Sequence, residues 1–425
     1  MTLQVNEPSA KYLVRQSPRS VAVEELPRDW TLLRLIDVAE VRGGVAKNAN
    51  VAISDPIEVA YLRVANVQDG YLDLGDVSKI KISKADLKRY SLLPGDVLMN
   101  EGGDLDKLGR GALWRGEIET CVHQNHVFSV RCKQQLLGDY LNVWTGSAIA
   151  RRFFLLAGKQ TTNLASISKS SLGEMPVFLP RVEEQHAIAT ALSDVDALIA
   201  GLEKMIAKKR DLKQAAMQQL LTGQTRLPGF GGAWSVKRLG DLAEMGSGGT
   251  PPSANAAYYG GEIPWVAIAD MTGGGKYIAS TERNLSVLGL ANSAAQMFPA
   301  GTVLYAMYAS LGECSIATVP VTTSQAILGI RPKADLHSEF LYYVLTSWKS
   351  MVKGLGQQGT QANLNKGIVA DFKISLPSFE EQESIAAVLV EMDTELVALE
   401  TRLSKTRDLK QGMMQELLTG RTRLV

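Results

Sequence analysis

Two stretches of the chain carry a helical pattern far longer than any other in it. Apolar residues recur at alternating spacings of three and four through Leu192, Val195, Ile199, Leu202 and Ile206, and Leu389, Met392, Leu396, Leu399 and Leu403 repeat the series 197 residues later. Such spacing lays one narrow apolar seam along a helix, as in a coiled coil. Both stretches are rich in Ala, Leu, Glu, Gln, Lys and Met and contain no proline, which favours helix throughout. Each follows a proline (Pro180, Pro377), opens on paired acids (Glu183-Glu184, Glu380-Glu381) and stops at a glycine (Gly223, Gly420). Acids suit the positive end of a helix and glycine its left-handed cap. About 40 residues make a helix of ~60 Å. Acids come early and bases late in both, Glu183, Glu184, Asp194 and Asp196 before Lys208, Lys209, Arg210 and Lys213 in the first. That order predicts an antiparallel pair, because a parallel one would set like charge against like.

The pattern is a duplication. Glu183–Leu227 aligns without a gap to Glu380–Leu424, with 24 of 45 pairs identical. Upstream of each helix lies a more diverged block in which landmarks survive: Trp30, Arg34, Leu35 and Asp37 match Trp234, Arg238, Leu239 and Asp241. Further on, Tyr61–Val67 parallels Trp265–Met271, and Pro94–Leu98 resembles Pro299–Leu304. Short β-type runs at Val64, Val97-Leu98, Val127–Val130, Ala326–Ile330 and Phe372–Leu376 are separated by Gly, Asn, Asp and Pro, which reads as strands and turns. A helical stretch lies late in each block, near Leu136–Ala150 and Ser338–Lys353. The expected fold is α+β: two pseudosymmetric α/β blocks separated by two long antiparallel coiled-coil helices. The expected boundaries are an arm (1–27), a first block (28–181), a first helix (182–223), a linker (224–233), a second block (234–378), a second helix (379–420) and a tail (421–425).

Composition changes the picture in three places. At 425 residues, 45% hydrophobic and 21% charged, the chain is globular and exceeds one domain. Three scattered cysteines, Cys121, Cys132 and Cys314, give no disulfide framework, which points to a reducing compartment. No apolar run approaches the ~18 residues of a membrane span, so the expected location is cytoplasmic with no membrane partner. A net charge of +1 does not advertise nucleic acid, so charge must be read locally.

Catalytic patterns are missing. The Asn/Asp-Pro-Pro-aromatic loop of amino-methylating enzymes does not occur; Asp55-Pro56 and Pro251-Pro252 lack its flanking residues. Gly273-Gly-Gly-Lys276 resembles a phosphate loop, but Asp270 stands where the first glycine is needed and Tyr277 where Ser or Thr would hold magnesium. Cys121, His123, His126 and Cys132 have zinc-compatible chemistry, yet strand alternation turns His126 away from Cys121 and His123, and the second block has no such ligands. They read as ordinary strand residues, with no metal expected. The loops do carry residues that contact phosphates and bases. In the first block these are Lys79, Lys81, Lys84, Arg110, Gln160, Thr162 and Asn163; in the second, Thr250, Tyr258, Tyr259, Lys276, Tyr277, Gln357, Gln358 and Thr360. Lys and Arg suit phosphate and guanine, Gln and Asn suit adenine, and Tyr can stack.

With the twin Glu-Glu-Gln…Leu-Lys-Gln…Leu-Leu-Thr-Gly helices, the Gly249-Thr-Pro251…Tyr259-Gly-Gly-Glu-Ile-Pro-Trp265 opening of the second block and the Glu101-Gly-Gly-Asp…Leu108-Gly-Arg-Gly-Ala-Leu-Trp114 stretch of the first, the chain resembles the specificity subunits of type I restriction-modification systems. The resemblance runs from Trp30 to Leu424. It implies that each block is a target recognition domain reading one half of a bipartite double-stranded DNA target. The helices would set the spacing and dock two modification subunits. It implies no catalysis and no cofactor on this chain: S-adenosylmethionine would belong to the modification partners, which methylate adenine, and ATP and Mg to restriction subunits that can join them. The protein would then be nucleoid-associated through DNA. The first block departs from the pattern, opening with Arg42-Gly-Gly-Val-Ala-Lys47 where the second has Gly-Thr-Pro-Pro. The rival reading is a pseudosymmetric coiled-coil scaffold that binds proteins only.

Overall fold

A computed structural model describes residues 26–46, 55–103, 108–109, 111–160, 165–355 and 364–425. The chain forms two compact units that do not follow chain order: Met1–Leu202 joins Arg402–Val425, and Glu203–Thr401 forms the other. The boundaries cut through the two long helices, Val182–Leu220 and Phe379–Leu417, 39 residues each. Every unit therefore holds one strand-rich block, the half of one long helix and the opposite half of the other.

Within each unit these halves run antiparallel. In the second, Lys209 pairs with Glu395 at 2.5 Å, Arg210 with Glu400 at 2.6 Å, and Lys213 with Asp393. In the first, Lys410 pairs with Asp196 at 2.5 Å. The late bases of one helix thus meet the acids of the other, as the charge order requires. Leu192, Leu202, Ile206, Leu389 and Leu396 are buried and Val195, Ile199, Met392, Leu399 and Leu403 half-buried, so the spaced apolar positions lie on the covered side of the helices, Leu192 in the core of the first block and Leu389 in that of the second. Gly223 and Gly420 take φ near +70°, closing the helices in the left-handed region that side chains disfavour.

The two blocks share one plan. The first is built on an antiparallel sheet of Ala39–Arg42, Val127–Cys132, Val97–Asn100 and Gly111–Leu113, in that order. The second uses Ala243–Ser247, Ile327–Pro332, Val303–Ala306, Cys314–Ala317 and Tyr277–Ile278. In each, a left-handed glycine, Gly95 or Gly301, turns the chain into the wholly buried central strand. A smaller three-stranded sheet adjoins, with Ile57–Leu62 at the centre of one and Tyr259–Val266 at the centre of the other. The strand expected around Val64 ends at Leu62, and Val64–Asn66 is a 3-10 turn. Asn66 causes the break: its Oδ1 accepts the Arg63 N–H at 2.8 Å and its amide donates to the Asp73 and Asp76 carbonyls. Asp270 does the same at the matching position, accepting the Ala267 N–H at 2.8 Å as Ile268–Gly274 turns helical. A side chain that satisfies a backbone donor locally offers the chain an alternative to the ladder.

The first and last strands of each block pair with each other, Thr31–Arg34 with Pro176–Leu179 and Ser235–Arg238 with Lys373–Leu376, and deliver the chain to a long helix. There the Glu-Glu-Gln repeat closes the unit. Glu184 is 1% exposed. It accepts the Trp30 indole N–H at 3.0 Å and two guanidinium bonds from Arg423 at 2.5 and 2.7 Å. Arg423 also reaches Asp29 and lies over the Trp30 ring. Glu381 repeats this with Trp234 at 3.2 Å and Arg226 at 2.5 and 2.6 Å, Arg226 lying over Trp234. The neighbouring glutamines are fully buried. Gln185 accepts the Leu137 N–H and donates to the Gln135 and Pro180 carbonyls, all at 2.9 Å. Gln382 does the same with His337, Asp335 and Pro377.

A fully buried side chain that satisfies three backbone groups is costly to remove, since a group orphaned away from water carries its desolvation penalty. Gln185→Ala is expected to destabilise the first unit by about 3 kcal/mol, and Gln382→Ala the second by a similar amount, read by urea denaturation against the unsubstituted chain.

Candidate nucleic-acid interface

In the first block the cationic run lies on an edge. Ser78–Ile82 is the outer strand of the three-stranded sheet, antiparallel to Ile57–Leu62, and side-chain alternation turns Lys79 and Lys81 outward while Ile82 is buried. Lys84 opens the helix Lys84–Tyr90, whose N-terminus Ser83 caps by accepting the Asp86 N–H. Lys79 faces Glu58 at 3.5 Å and Lys84 faces Asp55 at 2.9 Å, all exposed. Such pairs hold little energy in water and are readily exchanged for phosphate. Lysines on an edge strand also block edge-to-edge pairing of sheets, so the run serves the fold whatever it binds.

Of the remaining first-block candidates the backbone of Gln160 falls among the described residues. Lys159–Gln160 and Ala165–Ser166 form a hairpin whose second strand pairs with Gly102–Gly103. Gly102–Gly103, Lys159–Gln160 and Ala165–Ser166 therefore share one small sheet. Thr162, Asn163 and Arg110 lie outside the described residues, as do Gln357, Gln358 and Thr360 of the second block. A Cβ on Gly102 would stand 3.1 Å from the Ala165 carbonyl oxygen, a tight approach at this junction.

In the second block the Gly-Thr-Pro opening folds onto an aromatic platform. Trp265 donates its indole N–H to the Gly249 carbonyl at 3.0 Å, and the Tyr259 hydroxyl donates to the Pro251 carbonyl at 2.7 Å. The two rings meet edge to face at 6.1 Å. The Arg283 guanidinium stacks 4.3 Å from the Tyr259 centroid and 5.4 Å from that of Trp265. A Cβ on Gly249 would strike the Ala294-Ala295 backbone, so glycine is required there. Thr250 is exposed beside this platform and Tyr258 half-buried. Tyr259 thus holds the loop, and the exposed guanidinium of Arg283 is what it presents. Nothing in local spacing points from Arg283 to a stacking partner 24 residues earlier.

Lys276 and Tyr277 are placed differently. The ammonium of Lys276 lies among the rings of Tyr277, Tyr342 and Tyr343, 4.9, 5.1 and 4.3 Å from their centroids. It is ion-paired with Glu339 and donates to the Tyr343 hydroxyl at 2.9 Å, which in turn donates to Asp393 at 2.6 Å. Burial lowers its pKa against the opposing pull of Glu339. Tyr277 donates to Glu339 at 2.7 Å, and burial followed by that carboxylate raises its pKa. Tyr277 is therefore tied to its own block through Glu339, and Lys276 reaches the helix pair through Tyr343, whose partner Asp393 also pairs with Lys213.

The cysteine-histidine group disperses. His123 is buried with Nδ1 2.7 Å from the Val127 carbonyl, and desolvation lowers its pKa to about 4. Burial pushes the thiols of Cys121 and Cys132 up to about 12, the reverse of what a thiolate ligand needs. His126 points elsewhere, 2.8 Å from Glu101. Among the described residues no three His, Cys, Asp or Glu side chains gather as a metal cluster would, and no helix is long and apolar enough to cross a membrane.

Comparison with known proteins gives one answer throughout. Residues 27–209 and 232–406 each match the model of the type I restriction modification DNA specificity domain. A putative type I restriction enzyme MjaX specificity subunit from Methanocaldococcus jannaschii is 24% identical over 421 residues, covering 96% of both chains. The type I restriction enzyme MjaIX specificity subunit of the same organism is 35% identical over 164 residues, 38% of each chain. The fold is similar to the crystal structure of a type I restriction-modification S subunit from M. genitalium, with a TM-score of 0.59 and 14% identity over 95% of this chain and 99% of that one.

Two outcomes follow from the site. His123 binds its proton less readily folded than unfolded, so the stability it confers is complete above its unfolded pKa of about 6.5 and is lost as pH falls towards about 4. Denaturation at pH 7 and pH 4.5 should show a loss of up to about 3 kcal/mol from this group, absent in His123→Gln. Lys276→Ala takes the cation from Glu339 and leaves Tyr277 as its hydrogen-bond donor, and should destabilise the second unit by roughly 2 kcal/mol in urea.

Proposed function

This chain belongs to the type I restriction-modification DNA specificity family and is a DNA sequence-recognition subunit, and from that premise we propose that its two blocks read different halves of one split target. The observation that carries the proposal is the contrast between what the two units repeat and what they do not. Trp-Glu-Arg closure and glutamine anchor recur residue for residue, whereas the loops share almost nothing: a lysine edge and a glycine-rooted hairpin in one, an aromatic platform crowned by Arg283 in the other. A common frame with different polar loops suits two different base sequences, since sequence is read by side chains at base edges. A scaffold for proteins alone would leave that divergence without a cause.

The chain's own part in the reaction is recognition. The long helices hold the spacing of the half-sites and dock two modification subunits. Those partners carry S-adenosylmethionine and methylate adenine at N6, and restriction subunits bring ATP and Mg for cleavage. With 45 basic against 44 acidic residues, the chain alone offers few surplus cations for phosphates, so the complex must supply more of them.

Single-molecule sequencing of genomic DNA from cells expressing this chain with a type I modification subunit is expected to show methyladenine in a split, asymmetric motif. The signal should vanish when this chain is withheld. A stable complex that leaves the genome unchanged would overturn the proposal and favour the scaffold.

A further inference from the structure

The second unit contains a cleft of about 650 Å³ between its helix pair and the two helices Ser338–Ser347 and Lys349–Leu355. Its walls carry four cations, Arg210, Lys213, Lys349 and Lys353, with the hydroxyl side chains Thr346, Ser347 and Ser350, and no carboxylate residue lines it. At about 30 Å³ per water, the space is roomy enough for a phosphodiester segment.

Three of the cations are braced from behind. Glu400 holds Arg210, Asp393 holds Lys213, and Glu313 holds Lys349 at 2.5 Å. These carboxylates fix the positions of the head groups and offset much of their charge. Lys353 differs: it is exposed, and among the described residues it has no ion pair. A ligand that enters meets three positioned donors and one uncompensated cation, which is the chemistry of a phosphate seat.

The other unit does not repeat it. Opposite the matching helix face, Arg407, Lys410, Gln411 and Met414, the first block presents Gly146, Ile149, Ala150 and Phe153 where the second has Thr346, Lys349, Ser350 and Lys353. Met414 fills the space there, its Cε about 3.0 Å from where a Cβ on Gly146 would sit. A dock for two like partners would recur in both units. A seat present in one unit only fits a ligand met differently by the two halves, as a duplex carrying two different half-sites is.

We propose that this cleft grips a backbone phosphate of the target DNA through Lys353, with Lys349 and Ser350 beside it, fixing the position of the second block on the duplex without reading a base. The inference rests on the DNA-recognition reading above and adds the contact. Phosphate contacts of this kind weaken all sequences alike when removed, and each sets close to one unit of the salt dependence.

The test is equilibrium binding of the complex with its modification subunits to duplexes with and without the methylated motif, between 50 and 200 mM salt. Lys353→Gln is the informative change, because Lys353 is exposed and its loss strands no carboxylate, whereas Lys349→Gln would strand Glu313. The expected result is an equal loss on both duplexes, roughly 15-fold at 50 mM and 4-fold at 200 mM, as a slope shallower by about 0.9 requires. An unchanged slope overturns the proposal, as does a loss confined to the motif duplex, which would make Lys353 a base reader. Failure of the variant to assemble would assign the cleft to a partner subunit. Saturable binding of pyrophosphate lost in Lys353→Gln, with DNA binding unaltered, would assign it to a free anion. If the unsubstituted complex prefers the motif duplex while Lys353→Gln behaves like it, only this inference falls; if it shows no preference, the recognition reading falls as well.

Discussion

Two buried carboxylates organise this protein. Glu184 and Glu381 sit at the first turns of the long helices, almost without solvent, where an unpaired charge would be expensive. Each is neutralised by a guanidinium from the far end of the opposite repeat, Arg423 or Arg226, and hydrogen-bonded by a tryptophan at the head of its own block. Three parts of the chain must be together before the charge is satisfied: the block's first strand, one helix start and the segment beyond the other helix's end. The first unit draws them from residues 29–30, 184 and 423, so its closure brings both ends of the described chain into one structure.

This requirement explains the uneven divergence of the duplication. The repeated Glu-Glu-Gln and Thr-Arg-Leu signatures are the two sides of the closure, and the helices between them must keep the seam that lets the ends meet. A substitution on one side would strand the other. The loops carry no such constraint. Their backbones are held at the roots, by Gly102 against Ala165 in one block and by Trp265 on Gly249 in the other, which leaves the side chains between the roots free to differ. Rigid frame and variable loop are the division of labour that sequence-specific binding needs.

How much of this was legible in the sequence depends on distance along the chain. The apolar stripe, the glycine caps and the antiparallel order follow from spacing and charge within each helix, and the structure buries Leu192, Leu202, Ile206, Leu389 and Leu396. The strand expected at Val64 failed because Asn66, three residues past Arg63, captures its N–H; a local polar side chain outweighed an apolar run. The role of Gln185 and Gln382 was invisible, since their partners lie about 50 residues upstream. Lys276 shows the converse. In sequence it stands beside Tyr277 in a glycine-rich loop, the context of a phosphate ligand, yet the chain brings Tyr342, Tyr343 and Glu339 around it.

The charge balance links frame to function. A protein with nearly equal numbers of acids and bases that commits many of them to internal pairs, from Arg131 on Asp96 to Lys213 on Asp393, has little net field with which to attract DNA from a distance. Its phosphate contacts must then be few and placed. Exposed, weakly paired Lys79 and Lys84, the stacked Arg283 and Lys353, which has no ion pair among the described residues, are cations available for such contacts. Low general affinity favours discrimination: where the sequence-independent electrostatic term is small, hydrogen bonds to base edges decide a larger share of the total. Near-neutrality is therefore consistent with recognition and suits a subunit that specifies where its partners act.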